Sequence, residues 1–364
     1  MKKIRRYVPL PALILIVLAL ICAVINVVAV LSTGFADFFN QRISPFFRTV
    51  LAKITGILPF SLAEILIILS PILIILLVFQ IVRLIKKDGE KRIRFLFSVF
   101  ALIAYIYSSF VLTFAPAYRG TSLEDKLGLS RDNVTKERLV ETTQIILDEL
   151  RSLSDEVIYD EAEFSVMPYS FSSLNDKLND AYARLCDKYD FISKLSSRVK
   201  RVMLSEPMTY THISGVYTFF TGEANVNVNY PDYVTPYTMA HEMAHQRGIA
   251  REDEANFIAF LVCLESEDTY IRYSAYLNMY EYLASAVYRA DKEAYKEIYS
   301  SLTEKVINEM RAYSRFYEKY QDNVFSDISD SVNNSYLVSQ GQPSGTASYG
   351  LVTELAVAYL LGEE

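Results

Sequence analysis

The chain has 364 residues, 51% of them hydrophobic, and a formal charge of −7. That length allows two or three structural units, and the acidic balance argues against nucleic acid as a partner. The three cysteines, Cys22, Cys186 and Cys263, have no C-x-x-C spacing, which argues against a disulfide framework and against a thiolate metal site.

Hydrophobicity is concentrated at the front. Residues 8–31 carry no charge, 61–82 carry only Glu64, and 95–117 carry none. Each run is long enough to cross the hydrocarbon layer as a helix, which takes about 20 residues. The first run follows MKKIRR, a good signal-peptide start. It is longer than the usual apolar stretch of such a peptide and no small-x-small site closes it, so it reads as an uncleaved span. Lys2, Lys3, Arg5 and Arg6 precede the first span, and Arg83, Lys86, Lys87, Lys91, Arg92 and Arg94 lie between the second and third. The longer loop 32–60 holds only Arg42, Arg48 and Lys53. This bias places the N-terminus in the cytoplasm and, after three spans, everything beyond about Tyr118 outside it. The expectation is a multi-pass cell-membrane protein with a membrane domain over 1–117 and an extracytoplasmic domain over 118–364. In the first loop, ISPFFRTVLAKITGILPF interleaves apolar residues with Arg48 and Lys53. This predicts an amphipathic helix at about 40–58, lying on the bilayer or capping the soluble domain.

The remainder reads as mainly helical. Apolar residues recur at helical spacing over 133–153, 172–200, 251–267, 268–287, 289–320 and 349–361, and SQGQPSGTASYG (339–350) is the clearest loop. One segment departs from this. In TGEANVNVNYPDY (221–233), Ala224, Val226, Val228 and Tyr230 alternate with Asn225, Asn227 and Asn229. Period-two alternation predicts a strand with one buried face, and the asparagines suit a solvent-exposed sheet edge. His212, upstream of it, reads as a structural or substrate-side residue.

The strand leads into VTPYTMAHEMAHQRG (234–248). Thr235 is the expected N-cap, Pro236 fits the first turn, and Gly248 can end the helix in a left-handed cap. His241 and His245 then lie one turn apart on one face. This is the H-E-x-x-H arrangement, which holds a divalent ion, usually zinc. Glu242 can reach a water at the open coordination position and act as general base. Glu252, in the first turn of the next helix, REDEANFIAFLVCLESE, is the expected third ligand, with Gly248 letting the chain reverse. Glu254 points elsewhere and is the weaker alternative. Asn256, one turn after Glu252, is expected to accept a hydrogen bond from a ligand histidine's second nitrogen. The bland alternative is a chance string of two surface or core histidines; the helix signals, the preceding strand and the following E-x-x-x-N helix weigh against it.

An H-E-x-x-H helix followed by a helix with a glutamate four residues before an asparagine is similar to the gluzincin metallopeptidases. More specifically, GILPFSLAEIL (56–66), FAPAYRG (114–120), FTGEANVNVNYPDY (220–233) and TMAHEMAHQRGIAREDEANFIAF (238–260) resemble a bacterial membrane family, domain of unknown function 3810. The resemblance covers nearly the whole chain. It implies a mainly α membrane protein with three N-terminal transmembrane helices and a mostly helical, zincin-like α+β domain with a small sheet. It puts His241, His245 and Glu252 in the ligand positions and Glu242 in the catalytic one. One departure is that only six residues separate His245 from Glu252, fewer than in most gluzincins. The expected function is a membrane-anchored zinc peptidase whose substrate is a peptide or protein, soluble or membrane-associated. The strand at 224–230 would offer its hydrogen bonds to an extended peptide, and His212, Tyr217 and Tyr349 are candidate oxyanion donors. The alternative is a zinc-containing membrane sensor or assembly factor without turnover.

Overall fold

A computed structural model describes residues 7–85 and 89–362. Lys2, Lys3, Arg5, Arg6, Lys86 and Lys87, which contribute to the expected orientation, lie outside the described residues. The chain divides into two compact units, Met1–Gly120 with Thr218–Glu223, and Thr121–Tyr217 with Ala224–Glu364.

The first unit runs α1 (Leu10–Leu31), α2 (Thr33–Phe38), a π-helical turn (Phe39–Ile43), α3 (Ser44–Gly56), α4 (Leu62–Ile85) and α5 (Gly89–Thr113). Helices α1, α4 and α5 are long and apolar enough to cross a membrane. Leu20, Val24, Ile75 and Ile103 on these helices are each more than half exposed. Water penalises so much bare hydrocarbon and a bilayer does not, so the three helices mark a membrane protein. Within the unit, α1 and α5 pack together around Cys22 and Val111. The expected amphipathic helix is α3, but its Arg48 does not reach for water. It is buried and donates to Asn40 Oδ1 at 3.0 Å and to the Asn40 carbonyl at 2.6 Å.

The amino end of α4 is closed by a residue distant in sequence. Glu223, fully buried, accepts the backbone N–H groups of Leu62 and Ala63, both at 3.0 Å. Ser61 takes the next two, Glu64 N through its hydroxyl at 3.1 Å and Ile65 N through its carbonyl at 3.3 Å. The three N–H groups of the first turn are thereby satisfied, and the Ile65 bond is the first of the helix itself.

The second unit begins with α6 (Leu123–Leu127), α7 (Lys136–Ser154) and α8 (Phe171–Lys188), then β1 (Lys200–Arg201), α9 (Ser205–Thr209), β2 (Gly215–Thr218) and β3 (Glu223–Val226). It continues with α10 (Val234–Gln246), α11 (Glu252–Leu264), α12 (Thr269–Ala290), α13 (Lys292–Ser300), α14 (Glu304–Glu318), α15 (Val324–Ser339) and α16 (Val352–Leu361). Amphipathic spacing explains the outer helices: α7, capped by Thr135, buries Leu139, Ile146, Leu147 and Leu150 along one stripe. At the centre, α10 is buried along its whole length and α11 along nearly all of it.

The sheet order is β1-β3-β2, with β1 parallel to β3 and Lys200 opposite Asn225. The short connection from β2 to β3 makes that pair antiparallel. The expectation of an edge strand at 224–230 is therefore corrected. β3 is the central strand, ends at Val226, and has all four of its residues buried. Its asparagines are used internally. Asn225 Nδ2 donates to the Val216 carbonyl at 3.1 Å, and Asn227 Nδ2 to Thr209 Oγ1 at 3.0 Å and the Ile213 carbonyl at 3.1 Å. Alternation here reflects buried polar pairing rather than a wet face. Three helix readings also change: the helix expected over 172–200 ends at Lys188. The stretch 289–320 breaks into α13 and α14, where Thr303 caps α14, and α15 arises where no helix was expected.

Candidate metal centre

Helix α10 begins one residue before the expected cap. Tyr233 is already in helical conformation, and the N–H groups of Val234 and Thr235 are taken by the carbonyls of Pro231 and Asp232 at 3.0 and 3.1 Å. Thr235 therefore sits inside the first turn with no capping role, because the Pro231–Asp232 turn supplies the acceptors itself. The Ser274 hydroxyl of α12 donates to the Tyr233 carbonyl and accepts Tyr237 N, pinning the two helices together.

The helical period brings His241 and His245 to one face, their ring centroids 4.6 Å apart. Gly248 then turns the chain at a φ of 93°, in the left-handed region, and its N–H donates to the His245 carbonyl at 3.0 Å. The turn has a second effect: it aims the Ile249 carbonyl at His245 Nδ1, 2.8 Å away. A carbonyl only accepts, so Nδ1 carries a proton and Nε2 is the nitrogen left facing Glu252 and the site. Glu252 opens α11, and its Oε2 lies 3.3 Å from Nε2 of His241 and 3.3 Å from Nε2 of His245. These three groups are buried and offer one ligand atom each, all within 4.8 Å of one another. The reach across the short connection from His245 to Glu252 is thus made, and the donor set of two imidazoles and a carboxylate is one that zinc takes.

The neighbouring acids are committed elsewhere. Glu254 accepts from Leu123 N at 2.8 Å and pairs with Arg251 at 2.8 Å, while Asp253 pairs with Arg131 at 2.8 Å. Asn256 does not take the expected role. Its Nδ2 donates to Tyr282 Oη at 3.3 Å and to the Tyr349 carbonyl at 3.4 Å, and His241 Nδ1 has no hydrogen-bond partner. The orienting acceptor is the Ile249 carbonyl, a backbone group with no side-chain signature in the sequence.

Electrostatics follow the geometry. Burial pushes the Glu252 carboxyl up, but His245 and His241 outweigh it and hold Glu252 well below the usual carboxylate range. Burial pulls the His245 imidazolium down, yet Glu252 and Glu242 raise it to about 9. Glu242 is raised to about 7, with burial prevailing over the pull of the two histidines and of the Tyr217 N–H. Its Oε2 is buried without a hydrogen-bond partner. The β2 backbone passes so close that a Cβ on Gly215 would lie 2.5 Å from Glu242 Oε1.

His241 and Glu242 line a cleft of about 590 Å³. Tyr349, carried by the 3₁₀ turn Gly345–Leu351, stacks over His241 at 6.5 Å and 21° and also lines this cleft. His212 lines it too, held in the left-handed region at a φ of 59° with Nε2 2.7 Å from the Tyr320 carbonyl. Tyr217 contributes its backbone to Glu242; its side chain is not among the lining groups.

Residues 39–357 match the family described as a protein of unknown function, DUF3810. The chain belongs to this family. The matched range takes in α3, α4, α5 and every residue of the candidate metal centre. No curated protein and no solved structure matches the chain.

Proposed function

We propose that this member of domain-of-unknown-function family 3810 is a membrane-anchored, zinc-dependent peptidase of gluzincin-like, zincin-type design, with its active site outside the cytoplasm. The observation that carries the reading is the approach of Glu252 Oε2 to both Nε2 atoms at 3.3 Å, with Glu242 buried beside them. His241, His245 and Glu252 would hold a zinc ion, which would supply Lewis acidity there. Glu242, buried beside the ligands, would take the proton of the attacking water and pass it to the leaving amine. Tyr349, over His241, is the better placed of the candidate oxyanion donors. The outer strand β2, not β3, is the one beside Glu242, so an extended peptide would pair with β2.

The test is Glu242→Gln in the detergent-solubilised full chain. Elemental analysis should find about one zinc per chain in both proteins, while hydrolysis of a peptide library drops by about 10²-fold or more in the variant. Undiminished cleavage by Glu242→Gln would overturn the mechanism. Bound zinc with no cleavage by the wild-type protein would favour a sensor or assembly factor instead.

A further inference from the structure

The cleft extends away from the metal centre along α12, where Asn278, Glu281, Tyr282, Ser285 and Arg289 recur at helical spacing and all line it. Aliphatic side chains are scarce in the wall, limited to Ile213 and Val234. Tyrosine rings dominate instead. Tyr233 meets Tyr313 at 5.9 Å and 63°, and Tyr313 stacks on Tyr317 at 5.8 Å and 13°.

Glu281 lies among these rings. Behind it stands Glu309 of α14, which is filled by structural donors: Ser165 N at 2.8 Å, Ser165 Oγ at 2.6 Å, and the Tyr273 hydroxyl. Glu281 has no such set. Burial, Glu309 and the neighbouring Tyr233 govern its proton affinity, with no cation among them, and raise it to about 7. The Tyr233 hydroxyl, fully buried in the same wall, is turned toward Glu281. Arg289 is exposed and gives a proton to Ser285 Oγ at 2.8 Å. Eight residues along α12 from Glu281, it stands about 12 Å away along the axis. Asp330 adds a second carboxylate to the wall. A carboxylate among tyrosine rings, with no cation paired to it among the described residues, matches an ammonium group, which gains the ion pair and, over a ring face, a cation–π attraction.

We propose that Glu281 and the rings of Tyr233, Tyr313 and Tyr317 form a subsite for a substrate ammonium group, in the cleft that His241 and Glu242 also line. The subsite rests on the peptidase reading only for calling its ligand a substrate. The ammonium can come from a lysine side chain or from a free N-terminal amine.

Calorimetric binding to the solubilised full chain, without added zinc, separates these. The probes are Ac-Ala-Ala-Lys-Ala-Ala-NH2 against its norleucine twin, and pentaalanine amide with a free or an acetylated N-terminus. At least one cationic probe should bind about tenfold or more tightly than its neutral twin, and the pair that shows the preference names the source. Glu281→Gln should abolish the preference while leaving the neutral probes unchanged. The preference should also grow from pH 5.5 to 7.5, as Glu281, facing Glu309, Tyr233 and Tyr313, gives up its proton. Equal binding of both pairs by the wild-type protein overturns the subsite, whether or not Glu281→Gln folds. Selective binding without cleavage in zinc leaves the subsite standing and removes the peptidase reading; cleavage without selectivity does the reverse.

Discussion

Gly215 shows how a single residue shapes the centre. A Cβ there would meet Glu242 Oε1 at 2.5 Å, Glu242 Cγ at 2.7 Å and Thr238 Cγ2 at 2.7 Å. Carbon atoms do not approach so closely, and α10 is too tightly packed to retreat, so the flexible end of Glu242 must yield. Gly215→Ala should therefore move Glu242, the proposed general base, and spare the proposed ligands. Zinc content should stay near one per chain while peptide hydrolysis falls by about 10- to 100-fold, at a stability cost of about 1–3 kcal/mol. Full activity in Gly215→Ala would show that β2 does not set the position of Glu242. Two other features act at this scale. The Ile249 carbonyl fixes the His245 tautomer, and His241, with Nδ1 unpartnered, is steadied by the Tyr349 ring above it.

Between elements, the clearest dependency is the Glu223 carboxylate on the first turn of α4. Two charge-assisted bonds at a helix start, buried in their own unit, contribute about 1–3 kcal/mol. Glu223→Gln keeps the shape but replaces one acceptor oxygen with a donor amide facing an N–H. The expected outcome is a lower melting temperature in detergent, by several degrees, with zinc content unchanged; a melt identical to wild type would mean that the cap contributes nothing. The sequence carried no trace of this cap, since Glu223 and Leu62 are far apart in the chain and only the tertiary path joins them. The metal centre was legible for the opposite reason: His241, Gly248 and Glu252 are local, and one helical turn, one glycine turn and one helix start suffice to converge them. Asn256 misled because its spacing fits a partner for histidine, yet the Ile249 carbonyl takes His245 Nδ1 and His241 Nδ1 meets no acceptor. Helix α15 escaped notice because VFSDISDSVNNSYLVS is rich in serine and asparagine, poor helix formers, and fully buries little beyond Ser326 and Leu337.

For the molecule as a whole, the proposed orientation of the cleft rests on the distribution of charge along the sequence. Of the three basic residues in loop 32–60, Arg48 is buried against Asn40. Only Arg42 and Lys53 remain to resist translocation of that loop, against the six basic residues between the second and third spans. This bias is the ground for proposing that the second unit lies on the extracytoplasmic side. Cysteine labelling can read this directly, because Cys22, Cys186 and Cys263 are all free and buried and should give little background. Glu161 is exposed in the second unit and Gly89 opens α5 at the end of the basic loop. In intact cells a membrane-impermeant maleimide should label Glu161→Cys, and it should reach Gly89→Cys only after the membrane is opened. The reverse pattern would put the cleft in the cytoplasm and overturn the orientation, while leaving the three-ligand geometry untouched.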